Sequence, residues 1–276
     1  MAEPKYLTAP VKSTEIPKGI PYIIGNEAAE RFSFYGMKGI LVVFMTKYLH
    51  ILTDDPNLAA MNKAAAIEQY HDFTSWVYLT PILGALLADT ILGKYRTIMS
   101  LSMVYCLGHL ALAFMGTGGL TPESWMMTGL LLISLGSGGI KPCVSAHVGD
   151  QFGKGNWHLV QKVFQAFYFV INFGSFFATL LIPYIRVWER AHLDWSFNVA
   201  GYEFRTSIAF GLPGLLMLVA TVVFWMGRHT FVHVPAKPGG RLGLLDTVSS
   251  SLLFLGLVAL PMFGWDIQYQ TSLKFW

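Results

Sequence analysis

Apolar runs of about 20 residues recur along most of the chain, separated by short polar links, and each run is long enough to cross a bilayer as a helix. Seven runs are predicted as spanning helices: Pro21–Leu49, Ile67–Leu92, Thr97–Met115, Trp125–Val148, Val160–Ile185, Thr206–Trp225, and a seventh from Leu244 to Trp265 or beyond. The links have turn chemistry. Asp54-Asp55-Pro56 separates the first two runs, and Gly93-Lys94-Tyr95-Arg96 tightly joins the second to the third. Gly118-Gly119 and Thr121-Pro122-Glu123 precede the fourth, with Thr121 or Ser124 as its N-cap. Pro235 to Gly240 reads as a flexible connector ahead of the seventh.

Composition agrees with the pattern. The 276 residues are 54% hydrophobic and 13% charged, half the charged share of a soluble domain, so a water-facing surface cannot be coated. The net charge of +3 is too small to suggest nucleic-acid binding. Cys106 and Cys143 both fall in apolar runs and imply no disulfide framework. Residues 1–18 are polar, carry three prolines, and lack the apolar core of a cleavable signal. Lys and Arg fix the expected orientation. With the N-terminus inside, ten of them fall in inner segments and five in outer ones, so a cytoplasmic N-terminus is expected.

Against this background the ionisable residues within the runs stand out, because charge at mid-membrane costs a few kcal/mol. The first run contains Glu27, Glu30, Arg31 and Lys38. On a helix Glu27, Arg31 and Lys38 lie close to one face, Glu30 sits beside them, and Glu27 and Arg31 are spaced to pair. One reading makes this the solvated start of a helix whose span begins near Gly36. The apolar Pro21-Tyr22-Ile23-Ile24 ahead of the cluster favours a buried charge group instead. Lys141 lies in the fourth run, in Gly136-Ser137-Gly138-Gly139-Ile140-Lys141-Pro142. It either snorkels to a helix end or forms a proton-sensitive pair with the carboxylates of the first run. His71 is either structural or a proton entry point, with Tyr78 on the same face. Asn172 bonds to a neighbouring helix or lines a cavity. No zinc-protease, nucleophile-elbow or Walker motif competes, so no enzyme activity and no metal are expected.

Three stretches resemble the proton-dependent oligopeptide transporter (POT) family of the major facilitator superfamily. Glu27-x-x-Glu30-Arg31-Phe32-Ser33-Phe34-Tyr35-Gly36 is similar to its E-x-x-E-R-F-x-Y-Y-G motif. Gly84 to Thr97, with Asp89, Gly93 and Lys94, is similar to its loop between helices two and three, and Lys141-Pro142-Cys143-Val144-Ser145 to its fourth-helix signature. The resemblance implies an all-α integral membrane fold, a major-facilitator-type N-terminal six-helix bundle plus the start of a seventh helix. The expected organisation is a cytoplasmic tail (1–18), the bundle (19–229), a cytoplasmic connector (230–243) and an incomplete second half (244–276). The implied function is a proton-coupled symporter importing di- and tripeptides, with protons as coupling ion and no other cofactor. Glu27, Glu30, Arg31, Lys141 and His71 match proton-coupling positions. Arg31, Tyr35, Lys38, Tyr78, Lys141 and Asn172 match substrate positions, and Gly84, Asp89, Gly93 and Lys94 a conformational loop. Phe34 and Lys38 depart from the usual Tyr and Arg, which removes a hydroxyl and a bidentate donor. The alternatives are transport of nitrate or another small anion, or a non-transporting half-bundle. Expected partners are peptide, protons and membrane lipid, with a C-terminal half or self-association completing the cavity. The expected location is a cell or cytoplasmic membrane.

Overall fold

The computed structural model describes residues 6–52, 60–115, 117, 121–192, 196–199, 202–205, 207–236, 248, 249, 252 and 255. Six long helices follow in chain order: α1 (Ile20–Lys47), α2 (Lys63–Leu87), α3 (Lys94–Ala113), α4 (Pro122–Asp150), α5 (Val160–His192) and α6 (Ile208–Met226). Five of them are long and apolar enough to cross a membrane; α1 matches them in length but carries Glu27, Glu30, Arg31, Lys38 and, at its end, Lys47. The expected seventh helix falls almost wholly outside the described residues. Most predicted ends stand to within a few residues, but α5 runs on from the expected Ile185 to His192 and α2 stops at Leu87 ahead of the expected Leu92; Thr121 caps α4 by accepting from Ser124 N at 3.2 Å. Between α5 and α6 lies a feature the apolar pattern did not predict. It is an antiparallel hairpin of β1 (Ser196–Val199) and β2 (Tyr202–Arg205), in which Val199 pairs with Tyr202.

The packing partners are α3 with α4, α2 with α4, α1 with α5, and α6 with both α1 and α3. In lipid no hydrophobic force separates helix–helix from helix–lipid contact, so close backbone approach and interhelical hydrogen bonds do the work. A Cβ on Gly84 would fall on the Gly139 backbone, and one on Gly108 would lie 2.8 Å from Gly129 O. Thr80 Oγ1 donates to Ser134 O at 2.7 Å, tying α2 to α4, and Ser33 Oγ donates to Pro213 O at 2.7 Å, tying α1 to α6. The side chains left outside are apolar: Phe169, Phe173, Phe176 and Leu180 on α5, and Leu215, Val219 and Val222 on α6.

Each end of the bundle is closed differently. At the end carrying the N-terminus, residues 6–18 lie across the helix ends as a strap. Leu7 forms a parallel bridge with Val232, its carbonyl accepts from His233 N at 2.7 Å, and Tyr6 stacks on His229 and tilts against His233. Gln151 Oε1 accepts from Val232 N at 2.9 Å, and Asn156 Nδ2 donates to Glu15 O at 2.9 Å. The described part of the connector, up to Ala236, is thus held against the bundle through its backbone.

At the opposite end the buried Glu189 of α5 takes the free N–H groups of α6. Its Oε1 accepts from Ile208 N at 2.8 Å and its Oε2 from Ala209 N at 3.4 Å. Arg186 pairs with the same carboxylate at 3.2 Å, and its guanidinium lies 4.7 Å from the Tyr48 ring. Removing Glu189 strands all these donors at once. Glu189→Ala is expected to destabilise the bundle by about 2–4 kcal/mol, read as a lower thermal midpoint in detergent, with Glu189→Gln losing less because one acceptor remains. Equal midpoints for wild type and Glu189→Ala would remove this carboxylate from any structural role.

Candidate functional site

The charges of the first run are inside the bundle and not at a wetted helix start. The helix spacing brings three of them together. Arg31 Nε lies 2.8 Å from Glu27 Oε1 and 3.2 Å from Glu30 Oε2, so one guanidinium serves two carboxylates. Glu27 is 2% exposed and Glu30 fully buried. The second oxygen of Glu30, Oε1, accepts from Ser137 Oγ of α4, while Glu27 Oε2 has no donor among the described residues. Arg31 offsets only one of the two charges at this node, which leaves one negative charge over when both carboxylates are ionised.

The two lysines sit beside this node and outside it. Lys141 Nζ lies 4.8 Å from the centre of the Phe34 ring and 5.6 Å from that of Tyr78. Lys38 Nζ lies 5.7 Å from the same Phe34 ring and 5.1 Å from Tyr70. Neither ammonium makes an ion pair among the described residues. Aromatic faces supply part of the solvation each cation loses on leaving water. The buried Phe34 thus joins the two lysines, with Tyr35 edge-on to it at 5.5 Å and Phe73 tilted against it at 6.1 Å.

The remaining expected residues are placed less tightly. Tyr78 is exposed apart from its contact with Lys141. His71 is exposed and edge-on to Tyr70, one ring away from Lys38. Asn172 is exposed on α5, and its Nδ2 donates to Tyr168 O one turn earlier at 2.8 Å. The loop residues divide by role. Gly84 sits at the α2–α4 crossing, and Gly93 has φ of 77°, which favours glycine, with Val234 O 3.1 Å from where a Cβ would be. Lys94 Nζ pairs with both oxygens of Asp150 at 2.7 and 3.0 Å, tying α3 to α4, whereas Asp89 is exposed.

Sequence reasoning did not single out Ser137 or the shared use of Phe34. Ser137 is four residues before Lys141, so the helical repeat that placed the charges on α1 also puts these two on one face of α4.

An assembly of long apolar helices with paired ions in its interior is a multi-pass membrane protein. Residues 95–242, more than half of the chain, match the model of the POT family. Peptide transporter family 1 of Drosophila melanogaster is 38% identical over 229 residues, which are 82% of this chain and 28% of that protein. Human solute carrier family 15 member 1 is 40% identical over 239 residues, 82% of this chain and 31% of that one. Among solved structures, the POT family transporter PepTSo superposes with a TM-score of 0.69 at 44% identity, covering 84% of this chain and 41% of its own. An auto-inhibited POT family peptide transporter gives 0.67, also at 44% identity, covering 83% and 41%. The chain belongs to the POT family. It spans less than a third of the length of these curated relatives and less than half of these two solved chains.

Proposed function

We propose that this chain is the N-terminal part of a proton-coupled transporter for di- and tripeptides, and not an enzyme. The observation that carries the reading is the buried node of Glu27, Glu30 and Arg31 next to two lysines held on aromatic faces. With both carboxylates ionised, Arg31 balances only one of them. A proton taken up there cancels the surplus charge and frees Arg31 or Lys141 to receive the carboxylate of a peptide. Loss of the proton restores the internal pairing and releases the peptide. Proton and peptide then bias the same two-state element, as reciprocal linkage requires. Lys38, Tyr35, Tyr78 and Asn172 would contact peptide, and His71 would pass protons toward the node. Protons are the coupling ion in this reading, and no other cofactor takes part. Names of relatives such as peptide transporter family 1 support the substrate class.

In the same reading residues 19–229 form one bundle, 230–243 a connector, and the helix begun at residue 244 belongs to a second bundle across the substrate cavity. Alternating access is the rocking of one bundle against the other. Residues 84–94 and the Lys94–Asp150 pair would guide that motion.

Uptake of a labelled dipeptide into proteoliposomes carrying this chain together with its second bundle, with and without an inward proton gradient, tests the function. Accumulation that ignores the gradient would reject coupling. Orientation is tested separately. Ala60 and Arg96 are exposed at opposite ends of the bundle, and the strap lies at the Arg96 end. A cysteine at Ala60 is expected to react with an impermeant maleimide added outside cells, and one at Arg96 only after permeabilisation. The reverse pattern would place the N-terminus outside.

A further inference from the structure

α4 is pinned on two sides at the level of the carboxylates. A Cβ on Gly136 would lie 2.6 Å from Tyr105 Cβ and 2.8 Å from Leu101 O, both on α3. A Cβ on Gly138 would overlap Thr80 Oγ1 of α2, and one on Gly139 would lie 2.5 Å from Leu101 Cδ1 of α3. The hydroxyl of Thr80 also donates to Ser134 O, one turn earlier on α4. Backbones in such contact have little room to rotate, so the residue between these glycines is presented in one fixed direction. That residue is Ser137, fully buried, and it faces α1, where its hydroxyl donates to Glu30 Oε1. Lys141 follows one turn later on the same face, with its ammonium on Phe34 and Tyr78.

We propose that Ser137 is a positioning residue for proton coupling: it is the donor on α4 that holds the Glu30 carboxylate while Lys141 is engaged elsewhere. The same carboxylate then has two alternative partners on α4, a hydroxyl and an ammonium, one helical turn apart. The proposal rests on the transport reading for its physiological meaning, but its physical content is a property of Glu30. The other titratable groups facing Glu30 are Glu27 and Arg31 on its own helix, Tyr105 on α3 and Lys141 on α4. None of them is altered by a change at Ser137. A hydrogen bond donated to a carboxylate favours the ionised form, and removing the donor makes the carboxylate easier to protonate.

The test is infrared titration of the protein in lipid nanodiscs. The band of protonated Glu30 is identified by its absence in Glu30→Gln. Ser137→Ala is expected to move the midpoint of that band to higher pH by about one unit, a tenfold change in proton affinity. Ser137→Thr keeps the hydroxyl and is expected to keep the wild-type midpoint. Ser137→Cys, a weaker donor of similar size, is expected to fall between them, and it carries the test if the alanine variant does not fold. An unmoved midpoint in Ser137→Ala and Ser137→Cys overturns the proposal, as does a wild-type Glu30 that shows no titration. Dipeptide uptake by the wild-type whole transporter, with its second bundle, separates the two readings. A shifted band without gradient-driven uptake rejects transport and leaves Ser137 in its role. Gradient-driven uptake with an unmoved band does the opposite.

Discussion

Proteoliposomes carrying the whole transporter, this chain together with its second bundle, with Lys141→Ala or Glu30→Gln are expected to lose uphill accumulation of dipeptide while still exchanging it down its gradient. A one-unit pH gradient coupled to one proton supports about tenfold accumulation, and each variant should fall to equal concentrations on the two sides. The reason differs between the two. Glutamine cannot take up or release a proton, so the Arg31 node loses the step that changes its charge. Alanine at 141 removes the ammonium that sits on Phe34 and Tyr78 without an ion-pair partner among the described residues. In the proposed mechanism that cation would receive a peptide carboxylate and exchange it for Glu30. Either variant concentrating peptide against a gradient would refute the proposed exchange. Loss of downhill exchange as well would point to a failure of binding or folding in place of coupling.

Gly84→Val is expected to be the most damaging single packing change among the glycines of the bundle. A Cβ at 84 lands on the Gly139 backbone, and backbone cannot swing aside as a side-chain tip can. α2 and α4 must separate there, loosening the Thr80–Ser134 and Cys143–Gly84 hydrogen bonds on either side of the crossing. Overpacking of this kind costs about 3 kcal/mol. Gly39→Ala is the control, because among the described residues nothing beyond its own stretch of helix lies within 4 Å of its Cβ position, and alanine favours helix over glycine. Thermal midpoints in detergent should drop sharply for Gly84→Val and hold or rise for Gly39→Ala. Matching midpoints would mean that the crossing is looser than the contact geometry requires.

What could be read from the chain beforehand divides along physical lines. Helix existence was legible because each span declares itself by local hydropathy, and Pro122 after Thr121 announces a helix start. The pairing of Glu27 with Arg31 was legible because both lie on one helix at a fixed interval. Contacts between helices were not. Lys141 was expected to pair with the carboxylates or to reach a helix end; it faces Glu30, but its ammonium rests on aromatic rings and not in an ion pair, because the direction of a long side chain is decided by neighbours that local pattern cannot see. Ser137 carried no signal of its own, since a serine among glycines in an apolar run usually means only close packing. Glu189 lay past the predicted end of the fifth span, where a carboxylate looks solvated until the start of α6 is folded against it. The strap was unreadable for the same reason: its partners lie far away in the chain.

That distance has a consequence for how the protein is made. Leu7 cannot meet Val232 until more than two hundred further residues have been synthesised. At ordinary translation speeds this takes roughly 10–45 s. For that interval Tyr6 and Leu7 have no strap to form, and Gln151 waits for the backbone amide of Val232. Closure of the strap therefore follows the synthesis of all six described helices, and it joins the segment ahead of α1 to the one that follows α6. An N-terminus that stays open to proteolysis marks a chain whose six helices have not yet come together.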